Sequence, residues 1–406
     1  ANYSGVFWNE QDANAPWSAR WGLQACTVGN RTVVIMAGNA DGNATNDVWM
    51  TDDAGETWSV ATLRAPWLAR VSPAVVVDRH ETIFLLGGDT NTNSGAPAND
   101  VWSSTDKGLT WALVTHEAAW SARSDFGMVM SNKTMVLVGG STDLFSELND
   151  VWHSTDLGVS WTRIASAAPW SVRAGFAMTA VPWLLGTFLF ISGWNTDGGQ
   201  VNYINDMWTT NNDGRNWTQV TSRAPWMGRD SPGVVPGPEH SDILLIGGGE
   251  GFSGAFGDIW RLPRSMNGSM LADEADLGVE WPWSTWTLLT SQATFSPRSA
   301  FGLTTVTDHN VHGAPSLPIL VGGMGATITD LNDVWEVAAA PPPTPTPSPS
   351  PAPTPRPPSH KLPVYAWVLI AAAATIVVVV VSGTVVVLKR RSRAFDLQNP
   401  LTGDHS

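Results

Sequence analysis

Short apolar runs ending in small residues recur through the first 340 residues: Val33–Gly38, Ile83–Gly88, Met135–Gly140, Thr187–Gly193, Ile243–Gly248 and Ile319–Gly323. After each run comes a polar stretch and then a fixed phrase. The six copies are Asn46-Asp47-Val48-Trp49, Asn99-Asp100-Val101-Trp102, Asn149-Asp150-Val151-Trp152, Asn205-Asp206-Met207-Trp208, Gly257-Asp258-Ile259-Trp260 and Asn332-Asp333-Val334-Trp335. Their tryptophans lie 53, 50, 56, 52 and 75 residues apart. A second Trp, a loop, an Arg and another apolar run follow. Short apolar runs bounded by Gly, Asn, Asp and Pro are strand signals, so each unit predicts four strands. Four-stranded units of about fifty residues predict the blades of a β-propeller.

A second interval sets the number of blades. Trp58 precedes Arg70 by 12 residues, as do Trp111 and Arg123, Trp161 and Arg173, Trp217 and Arg229, Trp286 and Arg298, and Trp8 and Arg20. The N-terminal piece is thus a fourth strand without its first three, and the last unit, Arg298 to Val337, has three strands and lacks the fourth. The expectation is an all-β, six-bladed propeller over residues 1–340, closed by the N-terminal strand, which removes a sheet edge.

Beyond residue 340 the pattern changes. Pro341 to Pro363 alternates Pro with Thr, Ser and Ala. Proline fixes φ and removes donors, so residues 341–363 predict an extended stalk of roughly 60–70 Å, suited to O-glycosylation. Residues 364–388 form a run of 25 without a charge, with Tyr365 and Trp367 at its start. That length predicts one C-terminal transmembrane helix. Lys389-Arg390-Arg391-Ser392-Arg393 follows at once, which predicts residues 389–406 as a short cytoplasmic tail and the propeller outside, at the plasma membrane or another secretory-pathway membrane. The chain starts at Ala1, read here as the mature end left by signal-peptide removal.

The repeated Gly-Gly, Asn-Asp-Val-Trp, Trp and Pro-x-x-Arg resemble the kelch repeat of galactose-oxidase-like propellers over about residues 1–338. A second likeness is superimposed. Thr51 to Trp58, Ser104 to Trp111 and Ser154 to Trp161 resemble the Asp-box, Ser/Thr-x-Asp-x-Gly-x-x-Trp, of sialidase-type propellers. Thr210 to Trp217 does so with Asn212 in the Asp place, and Asp276-Leu277-Gly278 before Trp281 is a degenerate copy. In such a turn the Asp caps backbone N–H groups and the Gly supplies positive φ. Both likenesses imply fold rather than chemistry.

Charge narrows the partners. Residues 1–340 carry 16 basic and 34 acidic side chains, so phosphate backbones would be repelled and nucleic acid is not an expected partner. The single Cys26 excludes an intrachain disulfide and reads as a buried strand residue. The histidines (His80, His116, His153, His240, His309, His312) show no metal-ligand spacing, and no cofactor or metal is expected.

Of the 23 tryptophans, 17 occupy repeat positions and are expected in the core. Trp194 stands apart, in a long segment between strands two and three. The recurring arginines Arg20, Arg70, Arg123, Arg173, Arg229 and Arg298 form either an anion-binding ring or the paired arginines that kelch repeats carry. Galactose-oxidase chemistry needs a copper site with Tyr and His ligands and a Tyr–Cys crosslink, but the propeller region holds only Tyr3, Tyr203 and Cys26. A sialidase reading uses a Tyr nucleophile, a Glu and three arginines, with Tyr203 and Glu250 in loops on the expected face.

Binding is the favoured function: a cell-surface protein whose variable strand two-to-three loops hold an extracellular protein or glycan, without enzymatic activity. Trp194, Tyr203 and Glu250 are the candidate contacts. A membrane-anchored sialidase-like hydrolase and a structural surface-coat protein are the alternatives. Asn2, Asn30, Asn43, Asn132 and Asn267 are candidate N-glycosylation sites, whereas Asn216 lies in an Asp-box turn and is expected to be too buried.

Overall fold

A computed structural model describes residues 7–338 except 91–96, 132, 144–145, 183, 185, 239–241, 252–253, 264–285 and 308–315. The expected stalk, transmembrane helix and tail (341–406) lie outside these residues, as does the degenerate turn at 276–278. Among the described residues no helix is long and apolar enough to cross a membrane.

The described chain is all-β, and its strands form six blades. Blade 1 is Gln24–Val28, Thr32–Met36, Val48–Thr51 and Ser59–Thr62; blade 2 is Ala74–Val77, Ile83–Leu86, Val101–Ser104 and Ala112–Thr115. Blade 3 is Gly127–Ser131, Thr134–Ser141, Glu147–Ser154 and Thr162–Ala165, and blade 4 is Ala177–Ala180, Phe188–Ile191, Met207–Thr210 and Thr218–Thr221. Blade 5 is Gly233–Pro236, Asp242–Ile246, Ile259–Pro263 and Thr287–Thr290. Blade 6 is Gly302–Thr307, Ser316–Gly325 and Asp330–Ala338, and its outer strand is the N-terminal Phe7–Asp12. All pairings within the blades are antiparallel, and Trp8 faces Val337 in the closing pair. The interval between Trp and Arg thus gives the blade count and the closure correctly. In all six blades the register between strands three and four shifts beside the Trp of the phrase, a bulge that increases local twist.

The core lies between blades. Trp17, Trp67, Trp120, Trp170 and Trp226, on the segments joining one blade to the next, are buried, and Phe295 takes the sixth place. Each meets the Trp at the start of the following fourth strand nearly edge-to-face. Centroid distances are 6.0 Å for Trp17–Trp58, 5.9 Å for Trp67–Trp111, 6.0 Å for Trp120–Trp161, 4.8 Å for Trp170–Trp217, 4.8 Å for Trp226–Trp286 and 5.2 Å for Phe295–Trp8. Edge-to-face geometry is favoured by the ring quadrupoles, so one aromatic pair stitches each blade junction.

The turns between strands three and four dock on the preceding blade. Thr51 Oγ1 accepts from Gly55 N at 3.1 Å, and Asp53 Oδ1 accepts from Thr57 N at 2.9 Å. Ser104 with Asp106, Ser154 with Asp156 and Thr210 with Asn212 repeat the arrangement. Gly55 has φ 101°, and a Cβ there would lie 2.6 Å from Val334 Cγ1 of blade 6. The glycine is thus required by both conformation and space.

Candidate functional site

The recurring arginines are structural locks. All six are buried, and each meets the Asp of the phrase in the blade it leads into: Arg20–Asp47, Arg70–Asp100, Arg123–Asp150, Arg173–Asp206, Arg229–Asp258 and Arg298–Asp333. Each pair is bidentate. For Arg123 the two contacts to Asp150 are 2.6 and 3.0 Å, and Nη1 also donates to Gly139 O at 2.8 Å. Its Nε and Nη2 donate to Ser121 O and Oγ at 3.0 and 2.9 Å, so all five donors are engaged. Leu68 and Met227 replace that serine before Arg70 and Arg229, where the hydroxyl partner is lost. The Asp also accepts from the Trp two residues on, as with Trp152 Nε1 to Asp150 Oδ2 at 2.7 Å. Burial would raise these carboxyls, but the Arg bonds and charge outweigh it and hold Asp47, Asp100 and Asp150 below the usual value. The neighbouring Asn secures the outgoing segment, as Asn149 Nδ2 does with Ala168 O and Trp170 O at 3.2 and 2.9 Å.

Two residues after each arginine, the chain turns into the central channel with positive φ at Gly22, Ser72, Asp125, Gly175, Ser231 and Ala300. These residues are joined head to tail. Gly22 N donates to Ala300 O (2.8 Å), Ser72 N to Gly22 O (2.8 Å), Asp125 N to Ser72 O (3.3 Å), Gly175 N to Asp125 O (3.0 Å), Ser231 N to Gly175 O (2.6 Å) and Ala300 N to Ser231 O (3.3 Å). The result is a closed girdle of six backbone hydrogen bonds. It rims a channel of about 270 Å³ whose wall includes Leu23, Pro73, Phe126, Phe176, Pro232 and Phe301.

The strand two-to-three segments start on this same mouth. Residues just after each arginine bridge them: Trp21 to Asn39, Val71 to Asp89, Ser124 to Ser141, Ala174 to Trp194, Asp230 to Gly249, and Ser299 to Met324. In blade 4 the segment is a β-hairpin, Trp194–Asp197 with Gln200–Tyr203, rather than the irregular loop its length suggests. Trp194 and Tyr203 face each other across it. Trp194 is half-buried against Gly175, where a Cβ would lie 2.8 Å from its indole and 3.5 Å from Asp230 Cβ. Tyr203 is half-buried, with its hydroxyl against Gly251. Glu250 N donates to Gly254 O at 2.9 Å.

The mouth is acidic. Burial pushes the Asp230 carboxyl up to about 7, and Asp125 adds to the rise while the amides of Gly251 and Gly249 oppose it. Burial also raises Asp125, with Asp89 adding repulsion against the hydrogen bonds of Ser72 and Ser124. Tyr203 is raised by burial and by the charges of Asp230 and Glu250. Asp89, Asp125, Asp230 and Glu250 all stand on the segments that meet at this mouth.

The KLHDC2/KLHL20/DRC7 Kelch-repeats domain matches residues 22–248, more than half of the chain. The chain belongs to the kelch-repeat family. Kelch propellers typically serve as protein-binding scaffolds, generally without enzymatic activity. Comparison with curated proteins returns no match.

The kelch propeller brings the three sequence-selected residues to one place, with Trp194 and Tyr203 on one hairpin and Glu250 beside Gly251. Asp125 and Asp230 were missed, although each follows a repeat arginine within two residues, where the other copies carry uncharged side chains. The ring of arginines is not open to an anion, since every guanidinium is paired. Asn30 and Asn43 are exposed; Asn2, Asn132 and Asn267 lie outside the described residues. Asn216 is also exposed, contrary to expectation, because the turn buries Gly214 and turns residue 216 outward. Cys26 is buried in the first strand of blade 1, which pushes its thiol up to about 12. Among the described residues no group of His, Cys, Asp and Glu could hold a metal ion.

Proposed function

We propose that this chain is a single-pass cell-surface protein whose kelch propeller binds a partner protein at the channel mouth. The observation that carries the reading is the meeting of Trp194, Tyr203, Asp125, Asp230 and Gly175 on one rim, supplied by four separate segments of the chain. Aromatic side chains with polar handles on a rigid rim are suited to a recognition hot spot. The hydrolase alternative loses support: its arginine cluster is committed to carboxylates, and Tyr203 is shifted away from ionisation, against the need of a nucleophile. Membrane anchoring rests on the uncharged run 364–388 and the basic cluster after it.

A surface-proteome screen with the full chain displayed on cells tests the binding. Capture of a protein partner that Trp194→Ala or Tyr203→Ala abolishes, with the melting temperature nearly unchanged, is the expected result. Partners retained by both variants, or captured only through a glycan array, would overturn it. External protease should remove the propeller from such cells while an epitope after Ser406 stays protected. The reverse pattern refutes the anchoring.

A further inference from the structure

We propose that the channel mouth between blades 3, 4 and 5 takes a cationic side chain, a lysine or arginine of the bound protein, between Asp125 and Asp230 with the rings of Trp194 and Tyr203 alongside. The proposal rests on the reading that this face binds a protein, and it specifies the chemistry of the contact.

Charge bookkeeping comes first. Every lock arginine at the mouth is taken by its own phrase carboxylate, and among the described residues neither Asp125 nor Asp230 forms an ion pair. Two carboxyls in a partly desolvated rim are relieved either by a proton, as the raised Asp230 carboxyl shows, or by a positive charge that joins them. The second observation is independent of the charge count. Asp230 is half-buried as a residue, yet its Oδ1 is closed off from solvent and has no hydrogen-bond partner. Asp125 lines the channel itself, where Ser124 Oγ donates to its Oδ2 at 3.0 Å. An acceptor lacking a donor, next to a second anion, is completed by an ammonium or guanidinium group.

The neighbouring side chains suit the same ligand. Indole and phenol faces attract a cation through their quadrupoles. Gly175 is what allows the assembly, because any side chain there would displace the Trp194 indole from Asp230. The girdle holds the position of Asp125 and Ser231 through Gly175, so the rim is organised before a ligand arrives.

The test is a selection of random displayed 12-residue peptides against the full chain held in mild detergent. Enriched peptides are expected to share one Lys or Arg, and its replacement by norleucine or citrulline should lower affinity roughly tenfold or more. Asp230→Asn and Asp125→Asn should each cause a similar loss, with a melting temperature equal to or above that of the parent, because each removes an uncompensated charge. A merely structural Asp230 would lower the melting temperature instead, and that outcome overturns the proposal. So does enrichment of peptides without a shared basic residue, which leaves protein binding intact. Failure to enrich any peptide or protein refutes protein binding, and this proposal falls with it.

Discussion

Removing Asp150 should reveal how much each arginine lock contributes. Arg123 is fully buried, and Asp150 supplies two of its acceptors while also accepting from Trp152. Asp150→Ala leaves a buried guanidinium without its countercharge and an indole N–H without an acceptor. Breaking a buried ion pair from one side costs about 3–5 kcal/mol, against a total stability of roughly 5–15 kcal/mol. Replacing both partners with apolar groups of similar volume, Arg123→Met with Asp150→Leu, removes the desolvation penalty along with the attraction. That double variant should recover most of the loss, with a residual of about 1–2 kcal/mol from the acceptors left at Ser121 and Gly139 and the Trp152 indole N–H left without its acceptor. Urea denaturation followed by far-ultraviolet circular dichroism of the parent, Arg123→Met, Asp150→Leu and their double variant, treated as a double-mutant cycle, measures the coupling. If Asp150→Ala shifts stability by less than about 1 kcal/mol, the lock is not a major stabiliser. If the double variant loses the sum of the two single losses, the two residues do not act as a pair.

Three further outcomes are expected. Trp8→Ala should cost about 3–5 kcal/mol, because Trp8 is buried against Phe295 and closes blade 6; a loss below about 1 kcal/mol in thermal or urea unfolding would contradict closure by the N-terminal strand. Gly55→Ala should destabilise by more than about 1 kcal/mol through positive φ and the approach to Val334, whereas Gly42→Ala, at φ 78° but with open space around it, should lose less; equal losses in calorimetry would refute the docking of the turn. The raised carboxyls of Asp230 and Asp125 mean that the folded chain binds protons more tightly than the unfolded one. Their contribution should therefore favour folding at low pH and diminish as pH rises from about 4 through about 7. Asp230→Asn should flatten that slope in a pH series of melting temperatures, and an unchanged slope would refute the raised carboxyl.

The blades were legible because their information is local. Alternating apolar and turn residues fix each strand, and the same Asn-Asp-Val-Trp phrase recurs because each blade meets the same neighbours. The closure was legible too, since the unmatched fourth strand at Phe7 and the incomplete last unit are both visible without coordinates. Trp194, Tyr203 and Glu250 could be picked out as departures from the repeat. What they do depends on position across the ring, and periodicity says nothing about which departures meet. Asp125 and Asp230 lie 105 residues apart and come within electrostatic reach only when six blades close into a circle. The fate of the arginines was undecided for a similar reason. An arginine repeated six times is compatible with an open cationic ring or with six private pairs, and the choice turns on whether the Asp of the phrase points toward it. Tertiary packing decides this by burying both groups, because a desolvated guanidinium is tolerated only where its donors and its charge are met. The sequence alone determined the repeating scaffold; the tertiary structure decided which charges cancel within it and which are left facing the channel.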